Sequence, residues 1–226
     1  MKINDYHREL NPEEIERGEH RDFVGGMWEE IGRLQFDFMV ARGLKRDMRL
    51  LDIGCGSFRG GVHFVRYLKS GNYFGIDGNH SLIASGYEKE MIPSGLAEKL
   101  PPENLLVDAD FAFSRFATTF HAALAVSVFT HLPLNHIRLC LINLSKCMAP
   151  GARFFATIFQ CPEGRPVEDP LTHTPGGITT FSARDPYHYR VSDMARCTGD
   201  LPWTLQAIGD WGHPRAQRMI RFVRTS

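Results

Sequence analysis

The sequence predicts an α/β fold: a doubly wound, seven-stranded, mostly parallel sheet. Three observations predict it. Short apolar runs alternate with helical stretches through the middle of the chain, a glycine-rich turn follows the first run, and a later run, Ala152 to Phe159, is apolar almost throughout, as a parallel strand buried on both faces should be. Ligands of such sheets sit at the carboxyl ends of the strands.

The elements follow in order. Asn11-Pro12-Glu13-Glu14 offers a cap residue, a proline at the first position and acids in the first turn, so a short helix is expected there. From Met27 to Gly43 the residues Ile31, Leu34, Phe38 and Val40 recur near helical spacing. That amphipathic helix either closes over a pocket or covers the sheet edge, and Trp28 and Tyr6 are lid or packing aromatics. Strands are expected at Arg49 to Ile53, Tyr73 to Ile76, Asn104 to Val107, Phe120 to Val128, Ala152 to Phe159, near Thr204 to Ile208 and near Met219 to Val223. Between them lie helices carrying Val62, Phe64, Val65 and Leu68, then one from about Ser81, one from Leu134 to Met148, and a last one from Ser192 to Cys197. Pro150-Gly151 stops the third of these, and Trp211 to Pro214 reads as the turn between the last two strands. From Gln160 to Tyr189 repeated prolines and glycines predict a long irregular loop, a length that in a compact domain is usually functional or disordered.

With 226 residues, 43% of them hydrophobic, the chain suits one compact domain. Residues 1–48 are expected as an N-terminal helical cap and residues 49–226 as the ligand-binding domain. Lys plus Arg equals Asp plus Glu at 26 each, which argues against a nucleic-acid footprint or an anionic membrane surface. Five cysteines without C-x-x-C or zinc spacing suggest reduced thiols and no metal. No apolar leader or run long enough to span a bilayer is seen, so a cytoplasmic protein is expected.

The chemistry concentrates in Arg49 to Gly61. Gly54, Gly56 and Gly60 give G-x-G-x-x-x-G, a departure from the dinucleotide G-x-G-x-x-G, and Asp52 just before them would repel a pyrophosphate and favour a cationic ligand. Asp77 ends the second strand about twenty residues on, where an acid takes ribose hydroxyls; a helix cap is its plainer reading. Val107-Asp108-Ala109-Asp110-Phe111, after the third strand, suits an adenine through carboxylate and ring, or is a solvated turn.

These residues resemble the class I S-adenosylmethionine-dependent methyltransferases. L-L-D-I-G-C-G-S from Leu50 is similar to their first motif, Ser127-Val128-Phe129-Thr130-His131-Leu132 to their fourth, and Met148-Ala149-Pro150-Gly151 to the turn into their fifth strand. The likeness spans about Leu50 to Phe159. It implies that S-adenosylmethionine is the cofactor, with Asp52, Gly54 and Gly56 at its methionine part and Cys55 and Ser57 lining the loop. It further implies Asp77 and Gly78 at the ribose, Asp108, Ala109, Asp110 and Phe111 at the adenine, and Ser127 beside the sulfonium. It also makes the last two strands a hairpin with the final one antiparallel. His121 in place of an aspartate, Ala152 in place of a glycine and the Phe58-Arg59 insertion depart from the pattern, and Arg59 beside a cationic ligand has no explanation in the sequence.

No N-P-P-Y segment is present, and the charge balance favours a small-molecule acceptor, with an oxygen of a metabolite or sugar as the expected target. His131, after the fourth strand, is the candidate catalytic base or else a surface histidine; His173, His188 and His213 are weaker candidates. Asp185 to Tyr189 either lines the acceptor pocket or packs as a turn. The Arg215, Arg218, Arg221 and Arg224 series is expected as a solvated edge. Two other readings stand beside methyl transfer: a dinucleotide-dependent oxidoreductase, and a non-catalytic subunit that binds the cofactor or a partner.

Overall fold

The computed structural model of the protein describes residues 8–226, and Tyr6 lies outside them. It divides into two compact units, one reaching to Ala112 and the other running from Phe113 to Ser226.

In the first unit, α1 (Pro12–Glu16) begins at Asn11 with a reciprocal cap. The Asn11 side chain accepts the Glu14 N–H at 2.9 Å, and the Glu14 carboxylate accepts the Asn11 N–H at 2.8 Å. A second short helix, α2 (His20–Phe23), was not expected from the sequence. Then α3 (Trp28–Ala41) buries Ile31, Gly32, Gln35 and Met39. Strands β1 (Leu50–Ile53), β2 (Tyr73–Asp77) and β3 (Leu105–Val107) lie parallel in the order β3-β2-β1, with Leu50 opposite Tyr73 and Gly75 opposite Leu105. All of β1 is buried. The helix α4 (Gly61–Tyr67) follows β1, and α5 (His80–Gly86) follows β2 and continues as a π-helical turn, Tyr87–Met91.

That turn anchors the N-terminal segment. His20 Nε2 lies 2.7 Å from Glu90 Oε1, and Arg21 donates to both Glu90 oxygens at 2.7 and 2.9 Å. Burial pushes the Glu90 carboxyl up, but the hydrogen bonds from Arg21 and His20 outweigh it and hold the group below its ordinary value. Trp28 meets the His20 ring edge-on at 6.1 Å, and the Arg21 guanidinium lies 5.0 Å from its ring centre.

The second unit contains β4 (Phe120–Ala125), α6 (Leu134–Ser145), β5 (Met148–Gln160), a hairpin of β6 (Leu171–His173) and β7 (Ile178–Thr180), β8 (His188–Tyr189), α7 (Val191–Thr198), β9 (Trp203–Gly209) and β10 (Arg218–Arg224). Its sheet order is β4-β5-β10-β9, with β4 and β5 parallel and β10 antiparallel to both neighbours. The mostly parallel sheet and antiparallel last strand are as expected. From Phe154 to Phe159 every residue of β5 is buried.

Four local expectations change. Met148 belongs to β5, and the helix before it ends at Ser145; the register against β4 jumps from Phe120–Met148 to Ala122–Arg153, so Pro150 and Gly151 form an irregularity inside the strand's span. The fourth strand stops at Ala125, before the left-handed Ser127 (φ 60°). The segment from Gln160 to Tyr189 is partly regular, because β6 and β7 pair around the Pro175-Gly176-Gly177 turn and β8 adds to the end of β5. Finally, the arginines of β10 are not on a solvated edge, since the strand is flanked on both sides and buries Met219, Ile220 and Phe222. No helix among the described residues is long and apolar enough to cross a membrane.

Candidate functional site

The glycine turn leaves β1 with its first two amides, Gly54 and Cys55, donating to the Ile76 carbonyl at 2.8 and 3.1 Å. Gly56 has φ 51°, and a Cβ there would stand 2.8 Å from Val24 Cγ1. Only glycine combines that backbone with so close an approach. From the other side α5 presses equally close, since a Cβ on Gly86 would fall 2.6 Å from Ser57 Cα.

The N-terminal segment is bonded to this turn. Ser57, fully buried, donates its hydroxyl to the His20 carbonyl at 3.0 Å, and the insertion residue Arg59 donates to the carbonyls of Val24 and Gly26 at 3.0 and 2.9 Å. Arg59 is thus a clamp on the chain preceding α3. Nearby, His20 Nδ1 is buried with no hydrogen-bond partner among the described residues.

Two carboxylates flank the turn. Asp52 is buried and accepts the Tyr73 hydroxyl at 2.7 Å. Burial pushes its carboxyl up, the Tyr73 hydrogen bond pulls it down, nearby Asp77 pushes it up again and Arg59 pulls it down; the result is about 7. Asp77, half-buried at the end of β2, accepts the Gly56 N–H with one oxygen and the Asn79 N–H with the other, both at 2.9 Å. These two bonds fix the carboxylate between the glycine turn and the start of α5. Cys55 is buried and its thiol is pushed well up, chiefly by burial and then by Asp77 and Asp52. Gly78 is exposed.

After β3, one Asp108 oxygen accepts the amides of Asp110 and Ala112, both at 2.9 Å, which folds the chain into a tight turn. Ala109 and Asp110 are exposed on it, and Phe111 is buried with φ 60°. All expected cofactor residues except Ser127 therefore sit in the first unit, at the carboxyl ends of β1, β2 and β3.

The second unit places Ser127 and His131 in the turn after β4. Ser127 donates its amide to Thr157 Oγ1 at 2.8 Å, and Gln217 hydrogen-bonds both the Ser127 hydroxyl (2.9 Å) and the Thr157 hydroxyl (2.6 Å). His131 Nδ1 lies 2.6 Å from Asp185 Oδ1. The segment carrying Asp185 is stitched to the same turn: the Tyr187 amide donates to the Thr130 carbonyl at 2.7 Å, and the Tyr189 hydroxyl donates to the Leu132 carbonyl.

No protein-family model matches the chain. Solved structures do resemble it. The CcbJ methyltransferase from Streptomyces caelestis superposes with a TM-score of 0.72 at 11% identity, covering 100% of each chain. An S-adenosylmethionine-dependent methyltransferase from Clostridium acetobutylicum gives 0.65 at 9%, covering 95% of this chain and 99% of that one. Magnesium protoporphyrin IX methyltransferase from Synechocystis, with S-adenosylmethionine bound, gives 0.61 at 12%, covering 98% and 88%. The chain has the fold of these methyltransferases.

Within that methyltransferase fold, several site features escaped the sequence reading. Tyr73 as the partner of Asp52, Arg59 as a clamp and Asp185 as the partner of His131 are contacts across 21, 35 and 54 residues, and no local pattern announces them. Because the folded value of Asp52 lies above the ordinary one, its ionisation opposes folding: its contribution is whole at acid pH and fades as the pH rises through about 7. Tyr73→Phe removes a hydrogen bond that favours the charged form, so the Asp52 value should rise by about 1 to 2 units, read by carboxyl carbon-13 NMR titration. An unchanged or lower value would contradict the assignment.

Proposed function

We propose that the protein transfers a methyl group from S-adenosylmethionine to an oxygen of a small metabolite or sugar. The observation that carries the reading is where the backbone is strained. Of the six described non-glycine residues in the left-handed region, three follow β1 (Phe58, φ 68°), β3 (Phe111, φ 60°) and β4 (Ser127, φ 60°), at the turns expected to hold the cofactor, and the others are Met27, Ala117 and Ala216. Such strain of order 1–3 kcal/mol per residue persists where the surroundings over-determine it, and it clusters at ligand sites.

The residues fit the cofactor. Gly56 holds a bare backbone at positive φ, Asp77 places a carboxylate at the end of β2 where ribose hydroxyls are expected, and Phe111 marks the turn assigned to the adenine. Asp52, poised near neutrality between burial and Tyr73, would ionise against a cation, and the orphaned His20 Nδ1 gives the same region a spare polar atom. When bound, S-adenosylmethionine supplies an electrophilic methyl on a sulfonium. Methyl transfer in line needs mainly alignment, and a hydroxyl acceptor also needs a place for its proton. We assign that place to His131. Its Nδ1 lies 2.6 Å from an Asp185 carboxylate oxygen, which accepts a hydrogen bond from that nitrogen and orients the ring.

The balance of 26 basic and 26 acidic residues supports a small acceptor over a nucleic acid, and five unpaired, buried cysteines support a reducing, cytoplasmic setting. Similar structures include a glycopeptide N-methyltransferase and a protein described as an rRNA-methylase, so the acceptor assignment rests on this chain's own chemistry.

Calorimetry should show binding of S-adenosylmethionine and S-adenosylhomocysteine, weakened roughly 10- to 100-fold in Asp77→Ala through loss of charge-assisted hydrogen bonds. Tight NADH binding with no S-adenosylhomocysteine binding would replace this reading by the oxidoreductase one. With a turned-over acceptor, His131→Ala should lower kcat by about 100-fold or more with cofactor affinity retained, and Asp185→Asn by less. Unchanged turnover in His131→Ala would remove it as the base.

A further inference from the structure

His173 and His188 take no part in the chemistry above, yet they belong to one hydrogen-bonded line inside the second unit. His188 Nε2 lies 2.8 Å from the Val167 carbonyl, His188 Nδ1 lies 2.8 Å from Thr180 Oγ1, and Thr180 Oγ1 lies 2.8 Å from His173 Nε2. His188 and Thr180 are fully buried.

The carbonyl at one end sets the proton positions along the line. A carbonyl only accepts, so His188 Nε2 carries a proton, and in that Nε2–H tautomer Nδ1 is an acceptor. The Thr180 hydroxyl therefore donates to His188 Nδ1; its contact with the Leu171 carbonyl, at 3.4 Å, is the poorer outlet. Thr180 Oγ1 is then left to accept, so His173 Nε2 carries a proton. His173 Nδ1 is consequently a bare lone pair, and no described protein group meets it.

His173 is one of the residues lining a cavity of about 440 Å³, together with Gln160, Thr172, Thr174 and Arg218. The ring itself is held against Phe159 at 4.7 Å between centres. The cavity lies where β5 ends (Gln160), β9 ends (Gly209) and β10 begins (Arg218), on the carboxyl side of β5. Arg218 spends one nitrogen on the exposed Asp210 at 3.0 Å, and its fork has further N–H donors. Burial, then His188 and Arg218, push His173 down to about 4, so the ring is neutral at physiological pH and Nδ1 stays an acceptor.

We propose that this cavity binds a small hydroxy carboxylate, whose hydroxyl donates to His173 Nδ1 and whose carboxylate accepts from Arg218. A bare imidazole nitrogen asks for a donor, and a guanidinium beside it repels a cationic one, which selects a hydroxyl over an ammonium. A guanidinium matches a planar carboxylate with two parallel hydrogen bonds. The volume suits a small ligand. The inference goes beyond methyl transfer and stands without it, because binding is read with no cofactor present.

Histidine nitrogen-15 NMR on the whole protein supplies the test, with lactate as the probe and propionate, its counterpart without the hydroxyl, as the control. His173 and His188 should both be Nε2–H tautomers. Lactate should shift the His173 Nδ1 signal saturably and bind about tenfold more tightly than propionate, the worth of one hydrogen bond. His173→Phe, which keeps a ring against Phe159, should bring lactate down to the propionate level, and Arg218→Gln should weaken both acids. An Nδ1–H tautomer at His173, equal binding of the two acids, or no lactate shift would overturn the proposal. Should His173→Phe fail to fold, the tautomer and the lactate-to-propionate ratio in the native protein decide the matter.

Discussion

A carboxyl group shut away from water under a glycine turn governs the first unit. Asp52 lies on a strand buried along its whole length, so solvent does little to stabilise its charge, and one phenol hydrogen bond from Tyr73 is its main protein compensation. A second carboxylate, Asp77, at the end of the neighbouring strand, adds repulsion that raises Asp52 further. Folding tolerates the arrangement because Asp52 can hold a proton near neutral pH. In the proposed function a cationic ligand would relieve both burdens together, which gives the turn a preference for positive charge that a phosphate cradle lacks.

Around this turn the N-terminal segment is fixed by unlike forces at several points. Arg59 holds two of its carbonyls, Ser57 a third, and the His20–Arg21–Glu90 group ties α2 to the π-helical turn after α5. A guanidinium close to a site for a cation looks contradictory in the sequence. The contradiction eases once one of its nitrogens is seen to hold two backbone carbonyls of the N-terminal segment, with its charge pulling Asp52 back toward the ionised form. In the second unit the late segment plays a comparable part, bonding to the turn after β4 and supplying the carboxylate that orients His131.

The sheet was largely legible because its signals are local. Apolar runs mark strands, Asn11 and Glu14 mark a helix start, and Gly54 and Gly56 mark a turn that only bare backbone can make. Prolines and glycines misled where they punctuate structure without ending it: Pro150-Gly151 interrupts a strand that had already begun at Met148, and Pro175 to Gly177 is the tip of a hairpin. The site was legible as positions and not as contacts. Asp52 and Asp77 could be picked from spacing, but whether a carboxylate is neutral, or which phenol it meets, depends on burial and on partners far along the chain. His173 reads in the sequence only as a weaker candidate base, and the Val167 carbonyl, met in three dimensions, is what reveals which of its nitrogens is bare.

In the proposed function Asp52 gives up its proton to receive a cationic cofactor. The most direct measurement is the proton balance of S-adenosylmethionine binding at pH 7, from calorimetry in buffers of different ionisation heat. Asp52 near 7 predicts release of about half a proton per cofactor bound, falling close to zero in Asp52→Asn. Binding without proton release, or an undiminished release from Asp52→Asn, would contradict it.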